Sequence, residues 1–149
     1  MKAKVTSISA SAACLLIWYL AAKANLAASL SGGRPTLSGI LFSLLYVLMR
    51  LYYTYISQRN IPMICFSLFP AALSALVSLF GLLFLLIDGN MGIFMLAAPL
   101  FLSPLYGIAG PIASLFPPGG RQLVLFILCC LVTIPWTLWA LRLLEHSED

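Results

Sequence analysis

The chain has 149 residues, of which 62% are hydrophobic and only 8% are charged, with a net charge of +4. Soluble domains average roughly 25% charged residues, and a globule of this size cannot hide so much apolar surface from water. The composition therefore excludes a soluble enzyme, a nucleic-acid-binding protein and a disordered chain. It predicts an all-α, polytopic membrane helix bundle, whose cationic excess orients the chain in the bilayer.

Five apolar segments are long enough, or nearly long enough, to cross a bilayer. A crossing helix needs about 20 mostly apolar residues at a rise of about 1.5 Å each. We place the five segments at residues 5–22, 36–57, 61–87, 91–116 and 122–144, within a single membrane domain of residues 1–149. The first segment follows two lysines and resembles a signal peptide, but its apolar run is longer than is usual there, so we expect a retained span.

Short breaks rich in glycine, proline and small polar residues separate the segments. They are found at residues 31–35, 58–60, 88–90 and 117–121. No extramembrane stretch is long enough to form a domain. Because the connections are short, segments that follow one another in the chain are expected to lie antiparallel and side by side.

The fourth segment, residues 91–116, is ambiguous because it contains Pro99, Pro104 and Pro111. Each interior proline removes a backbone hydrogen bond and favours a kink. The segment is either a kinked fifth span or a re-entrant pair of half-helices shielded by protein. Five spans place the termini on opposite sides of the membrane, and four spans with a re-entrant segment place them on the same side. We prefer five spans, because the segment is long enough to cross.

Positive charge favours a cytoplasmic N-terminus in both arrangements, since cationic connections stay inside. With five spans, the inner side carries five cations (Lys2, Lys4, Arg50, Arg59, Arg121) and the outer side three (Lys23, Arg34, Arg142). With four spans, Arg121 and Arg142 exchange sides and the ratio stays the same. The expected location is a plasma membrane of bacterial type (the cell inner membrane), and the side of the C-terminus stays open.

Small residues recur at helical spacing along two of the segments. The third-segment seam follows spacings of 4, 3, 4 and 3, and comprises Ser67, Ala71, Ser74, Ser78 and Gly81. The fourth-segment seam follows spacings of 4, 3 and 4, and comprises Ser103, Gly107, Gly110 and Ser114. Small faces let helix backbones approach closely within lipid. We predict that these two segments form the tightest hairpin, and that each seam packs internally or docks a membrane-protein partner or a second copy of the chain.

Arg50 and Pro104 are the candidate contacts for a solute or a lipid headgroup. Arg50 lies roughly 10 Å, at about 1.5 Å per residue, from the end of its helix, and a charge within a span is a functional-site hypothesis by default. The interpretation we favour is that its long stem snorkels to the interface beside Tyr52 and Tyr53. Pro104 lies in the proline- and glycine-broken segment, where exposed backbone groups can bind a solute.

Several kinds of chemistry are disfavoured by the residues that are missing. No Asp, Glu or His occurs inside the core of any predicted span, so the groups that proton-coupled transporters need are absent. For the same reason, no buried base is placed to activate a serine. The single histidine, His146, cannot form a metal site alone, and the four cysteines lie in apolar runs where packing is their usual role. We therefore predict no catalytic residue, no metal, no cofactor and no enzymatic activity.

Two hypotheses for function remain. The first is a non-catalytic protein that acts through helix–helix contacts, either as an accessory subunit of a membrane complex or as an immunity-type binder. The alternative is a small transporter or channel subunit for a neutral, hydrophobic or anionic solute. The expected partners are the lipid bilayer and a membrane protein or a second copy, with no nucleic acid.

Overall fold

A computed structural model describes residues 2–57, 60–87 and 94–146, with side chains from Ser9 and, in the fourth helix, from Ala98. The described residues form five helices and no strand: α1 (Lys2–Ser31), α2 (Leu37–Ile56), α3 (Ile61–Ile87), α4 (Phe94–Ala113) and α5 (Pro118–Glu145). The predicted all-helical membrane bundle is confirmed. The predicted break at residues 88–90 and most of the break at residues 58–60 lie outside the described residues.

Helix α1 extends nine residues beyond the predicted end at residue 22, to Ser31. Hydropathy marks where the apolar surface ends, but alanine is the strongest helix former, and the alanine-rich stretch carries the helix past Lys23 and Asn25. The helix ends where Gly32 adopts a positive φ of 64°, a left-handed conformation that glycine accepts without strain. The side chain of Thr36 then caps α2 by accepting a hydrogen bond from the Gly39 N–H at 3.1 Å.

Contacts at the two ends of α2 show the direction of α1. Near the C-terminus of α2, the Tyr53 hydroxyl hydrogen-bonds the Ser11 hydroxyl of α1 at 2.7 Å. Near its N-terminus, the Gly39 carbonyl accepts a hydrogen bond from Asn25 of α1 at 3.1 Å. We call these the Tyr53 end and the Gly39 end of the bundle. Helix α1 therefore runs from the Tyr53 end to the Gly39 end, and α2 runs back.

Helices α3 and α5 follow the same alternation. The Thr54 hydroxyl of α2 hydrogen-bonds Ser67, near the start of α3, and accepts from the indole N–H of Trp136, late in α5. Towards the other end, the ring of Phe126, early in α5, lies over Gly81, late in α3. Helix α3 therefore runs towards the Gly39 end, and α5 returns to the Tyr53 end.

It follows that the segment containing α4 starts and finishes at the Gly39 end. Tyr106 and Gly107 place the second half of α4 at this end, because they bond the Gly33 carbonyl and the Ser43 hydroxyl at 2.8 and 3.2 Å. In the part of the chain that the structure describes, four helices are long and apolar enough to cross a membrane: α1 (from Ser9), α2, α3 and α5. The described apolar stretch of α4, Ala98–Ala113, is shorter.

The chain direction therefore favours the alternative of four crossings with a re-entrant segment over the five crossings that we preferred. One part of that alternative also needs correction, because residues 94–113 form one continuous helix rather than two half-helices. The N-terminal half of α1 and the C-terminal part of α5 share the Tyr53 end. The sequence could not show this, since a length sufficient to cross does not determine where a helix returns.

The predicted tight hairpin between α3 and α4 was also wrong. Among the described residues, α3 packs most extensively with α5, and α1 with α4, which contacts all four other helices. The third-segment seam lies on the buried face of α3, where Gly81 makes room for the Phe126 ring of α5. Helix α4 instead uses Gly107 to approach the backbone of α2 at Gly39.

Candidate functional site

A cavity of about 350 Å³ lies between α1, α4 and α5 at the Gly39 end. We call it the α1–α4–α5 cavity. Its lining comes from the C-terminal turn of α1, one face of α4 and the first two turns of α5. The residues are Ser29, Leu30, Ser31, Gly32, Ala98, Pro99, Leu102, Tyr106, Gly110, Ala113, Ser114, Arg121, Gln122, Leu125 and Phe126. Helix α4 thus forms one wall of this cavity.

The polar residues of this cavity gather at its outer end, where α1 and α4 finish and α5 begins. Ser31 and Ser114 bond carbonyl groups one turn back in their own helices, at 2.8 and 2.7 Å. Arg121 donates from Nε to the Phe116 carbonyl at 3.0 Å. Among the lining residues that the structure describes, Arg121 carries a positive charge and none is acidic.

The inner part of the cavity is apolar. Leu102 lies three turns before the end of α4, and Ala98 one turn further in, while Phe126 lies two turns into α5. Ala98 and Leu102 belong to the main core together with Phe126. The cavity therefore offers a charged mouth and an apolar interior, which suits an amphipathic molecule more than a small hydrated ion.

Arg50 occupies a different and fully packed environment near the Tyr53 end. Its side chain is only 2% exposed, and its guanidinium carbon lies 5.0 to 5.9 Å from the ring centres of Tyr46, Phe66 and Trp136. We call these four residues the Arg50 cluster. Nη1 lies 3.4 Å from the Phe66 carbonyl, and the buried Nε has no hydrogen-bond partner among the described residues.

The snorkelling interpretation of Arg50 was therefore wrong. Helices α3 and α5 close over α2 at this level and direct Phe66 and Trp136 onto the guanidinium. Cation–π contacts of this kind stabilise by about 0.5–2 kcal/mol each, and more when desolvated. Of the four acidic residues in the sequence, Glu145 is within the described region, and it is exposed at the end of α5. Within the described residues, the guanidinium is thus surrounded by aromatic faces.

Thr54 joins three helices beside the Arg50 cluster. Its hydroxyl accepts from Trp136 Nε1 at 3.0 Å, bonds the Ser67 hydroxyl and lies 2.9 Å from the Arg50 carbonyl. A hydroxyl has one donor and two acceptor positions, so three partners satisfy it fully. This buried network connects α2, α3 and α5. Thr54 was not predicted as a site residue, because the sequence criteria considered only ionisable groups.

A second polar junction joins α1, α2 and α4 at the Gly39 end. The Asn25 amide donates to the Ala21 carbonyl, the Gly39 carbonyl and the Ser43 hydroxyl at 2.9 to 3.1 Å. Ser43 also accepts from the Gly107 N–H. A Cβ at position 107 would lie closer than 3.0 Å to the Gly39 carbonyl and the Ser43 hydroxyl, so only glycine is accommodated there. Asn25 escaped sequence reasoning because the first segment was ended at residue 22.

Both seams lie between helices of this chain. All five residues of the third-segment seam are buried, and in the fourth-segment seam Ser103, Gly107 and Gly110 are buried and Ser114 is half-buried. Gly110 and Ser114 line the α1–α4–α5 cavity. Pro104 is fully buried, and neither it nor Arg50 lines this cavity. A solute or partner contact through any of these residues stays a prediction.

Comparison of the chain with known protein families, with curated proteins and with solved structures gives no match. In the described part of the chain, no three His, Cys, Asp or Glu side chains come together as metal ligands would.

Proposed function

We propose that the protein is a non-enzymatic membrane protein that binds a hydrophobic or anionic solute within the bilayer, as a small transporter or channel subunit. The observation that supports this most is the unfilled α1–α4–α5 cavity beside a helix that returns to the end from which its segment started. The proposal makes α4 the solute-binding element and the four long helices its scaffold.

Helix α4 has the properties expected of such an element. Re-entrant segments within a bilayer are tolerated where they are buried in protein or line a cavity, and α4 contacts all four other helices. Secondary transporters commonly bind substrate at interrupted helices near the midplane. Pro99, Pro104 and Pro111 remove hydrogen-bond donors along α4, which leaves backbone carbonyls with weaker internal partners.

The accessory-subunit hypothesis receives less support from the structure. It required the small-residue seams to face a partner, whereas they are mostly buried between the chain's own helices. The outward faces carry large side chains such as Leu48, Phe69 and Leu86, which acyl chains cover. Internal packing is therefore the better supported role for the seams.

We also propose that the Tyr53 end faces the cytoplasm. With four crossings, the connections and termini at that end, together with Arg50, carry five cations against three at the Gly39 end. The α1–α4–α5 cavity would then open towards the outer side of the membrane.

A solute-flux assay in proteoliposomes tests the function, with a cavity-filling variant compared with a matched control. Leu102→Trp fills the cavity, whereas Leu100→Trp places the same bulk two residues away at an exposed, outward position of α4. We expect flux of hydrophobic anions from the parent and the Leu100 variant, and at least a tenfold lower rate from the Leu102 variant. Where Leu102→Trp does not fold, Ser31→Trp at the cavity mouth serves instead. Equal flux through filled and unfilled proteins, or no flux for any tested solute, would contradict the proposal.

A further inference from the structure

We infer that the ligand of the α1–α4–α5 cavity is a single-chain amphipath with an anionic head group. The head group binds at Arg121, and the chain lies along Leu102 and Phe126 towards the bundle interior. This inference rests on the proposed function, because it assigns a ligand class to the same cavity.

Charge at the mouth selects an anionic head group. Arg121 is half-buried, and its described hydrogen bond uses only Nε. A guanidinium has five N–H donors in a planar fork, which matches sulfate, phosphate or carboxylate oxygens two at a time. Among the described lining residues, Arg121 is the one charged side chain, so it supplies a positive charge at the mouth. An anion is attracted there, and a cationic or zwitterionic head is not preferred.

The order of polar and apolar residues along the cavity favours a ligand with an alkyl chain over a small ion. Moving inward, the lining passes from Ser31, Arg121 and Ser114 to Leu102 and Phe126. A hydrated inorganic anion gains nothing from this apolar portion, whereas an alkyl chain is as compatible with these side chains as with the acyl chains around it. A single chain matches these dimensions, because about 350 Å³ is near the lower limit of the roughly 300–1,000 Å³ typical of small-molecule sites.

Photo-labelling in nanodiscs of zwitterionic lipid tests the inference. The probe is an alkyl sulfate that carries a diazirine on its chain, and the comparison probe is the alcohol of the same chain length. Arg121→Gln removes the proposed contact, and Arg142→Gln removes a charge from an exposed position near the other end of the same helix. Sites of labelling are located by mass spectrometry.

We expect the sulfate to label Leu102 or Leu125 and to bind at least tenfold more tightly than the alcohol. Arg121→Gln should weaken sulfate binding at least tenfold and leave alcohol binding unchanged, while Arg142→Gln should alter neither. Equal binding of sulfate and alcohol, insensitivity to Arg121→Gln, or labelling confined to the outward Leu100 would each overturn the inference. Efficient competition by inorganic phosphate would also overturn it, because it would show a site for a free anion.

The flux and labelling experiments separate the two proposals. Specific labelling without flux would contradict the proposed transport function and still support the proposed ligand class. If another solute is transported, Leu102→Trp blocks its flux and the sulfate does not label the protein, the proposed ligand class is contradicted and the proposed function is supported.

Discussion

The Arg50 cluster and the α1–α4–α5 cavity each place one arginine beside apolar helices, but the surroundings of the two guanidinium groups differ. Around Arg50, three aromatic rings fill the space within 6 Å of the guanidinium carbon. Beside Arg121, the α1–α4–α5 cavity extends inward between apolar side chains. Neither arginine has a described carboxylate partner.

A structural cation and a binding cation in a membrane protein differ in what surrounds them. An arginine surrounded by packed protein acts on the fold through its packing, because no ligand can reach its charge. A charge at the mouth of an unfilled cavity leaves room for a ligand to supply the opposite charge. Substitution of Arg50 should therefore change stability most, and substitution of Arg121 should change binding most.

Truncation of Arg50 should have the largest effect on stability. Arg50→Ala leaves a void among Tyr46, Phe66 and Trp136, and large-to-small changes in packed cores cost roughly 2–4 kcal/mol. Arg50→Met keeps most of the volume and removes a charge that is costly to bury, so its effect should be within about 1 kcal/mol of the parent or stabilising. Denaturant unfolding in mixed micelles measures both. An equal loss in the two variants would show that the charge itself holds the fold.

Gly107→Ala tests whether α4 packs closely against α2 at a position outside the lining of the α1–α4–α5 cavity. The added Cβ would press against the Gly39 backbone, and overpacking of this kind costs about 1–3 kcal/mol. Gly120→Ala is the matched control, because no atom lies within 4 Å of a Cβ there. The control should be neutral or slightly stabilising in a thermal unfolding assay. An unchanged melting temperature for Gly107→Ala would mean that α4 does not pack closely on α2.

Thr54→Val tests the hydroxyl network beside the Arg50 cluster. The change leaves the Trp136 indole N–H and the Ser67 hydroxyl without their shared partner, at a cost of roughly 1–2 kcal/mol. Thr137→Val is the control, since its described hydrogen bond is made within its own helix. Denaturant titration followed by tryptophan emission should show the difference between the two variants. If both behave alike, the network adds nothing beyond local helix bonds.

The smallest effect on stability is expected for Arg121→Gln. The side chain is half-buried at the bundle surface, and changes at such positions usually stay within about 0.5 kcal/mol. An apparent melting temperature close to that of the parent, measured without added ligand, is the expected result. A loss comparable to that of Arg50→Ala would remove the distinction between the two arginines.

Much of the fold followed from the sequence, because long apolar segments and glycine–proline breaks are local signals. The helices α2, α3 and α5 begin and end within about four residues of the predicted bounds, and the 3.5-residue period of the third-segment seam marked the buried face of α3. The partner of that face could not be predicted, since Gly81 makes room for any large side chain and Phe126 provides it only in three dimensions.

The candidate site was less predictable. Pro99, Pro104 and Pro111 singled out α4, but they do not show whether a helix returns to its starting side. Arg50 was recognised as unusual, yet its surroundings come from residues 16 and 86 positions away, Phe66 and Trp136. Arg121 lies in a glycine-rich break that could hold an anion but is ordinary as a linker, and its position beside the ends of α1 and α4 appears only in the structure.

The direction of the helices is the central claim, and the location of the two termini tests it most directly. Epitope tags at both ends, with a third inserted beside Arg34 in the connection between α1 and α2, can be assayed by protease protection in sealed vesicles. Four crossings with a re-entrant α4 predict that both terminal tags are on one side of the membrane and the third tag on the other. Terminal tags on opposite sides would require α4 to cross, and would contradict the arrangement on which the cavity and its proposed ligand depend.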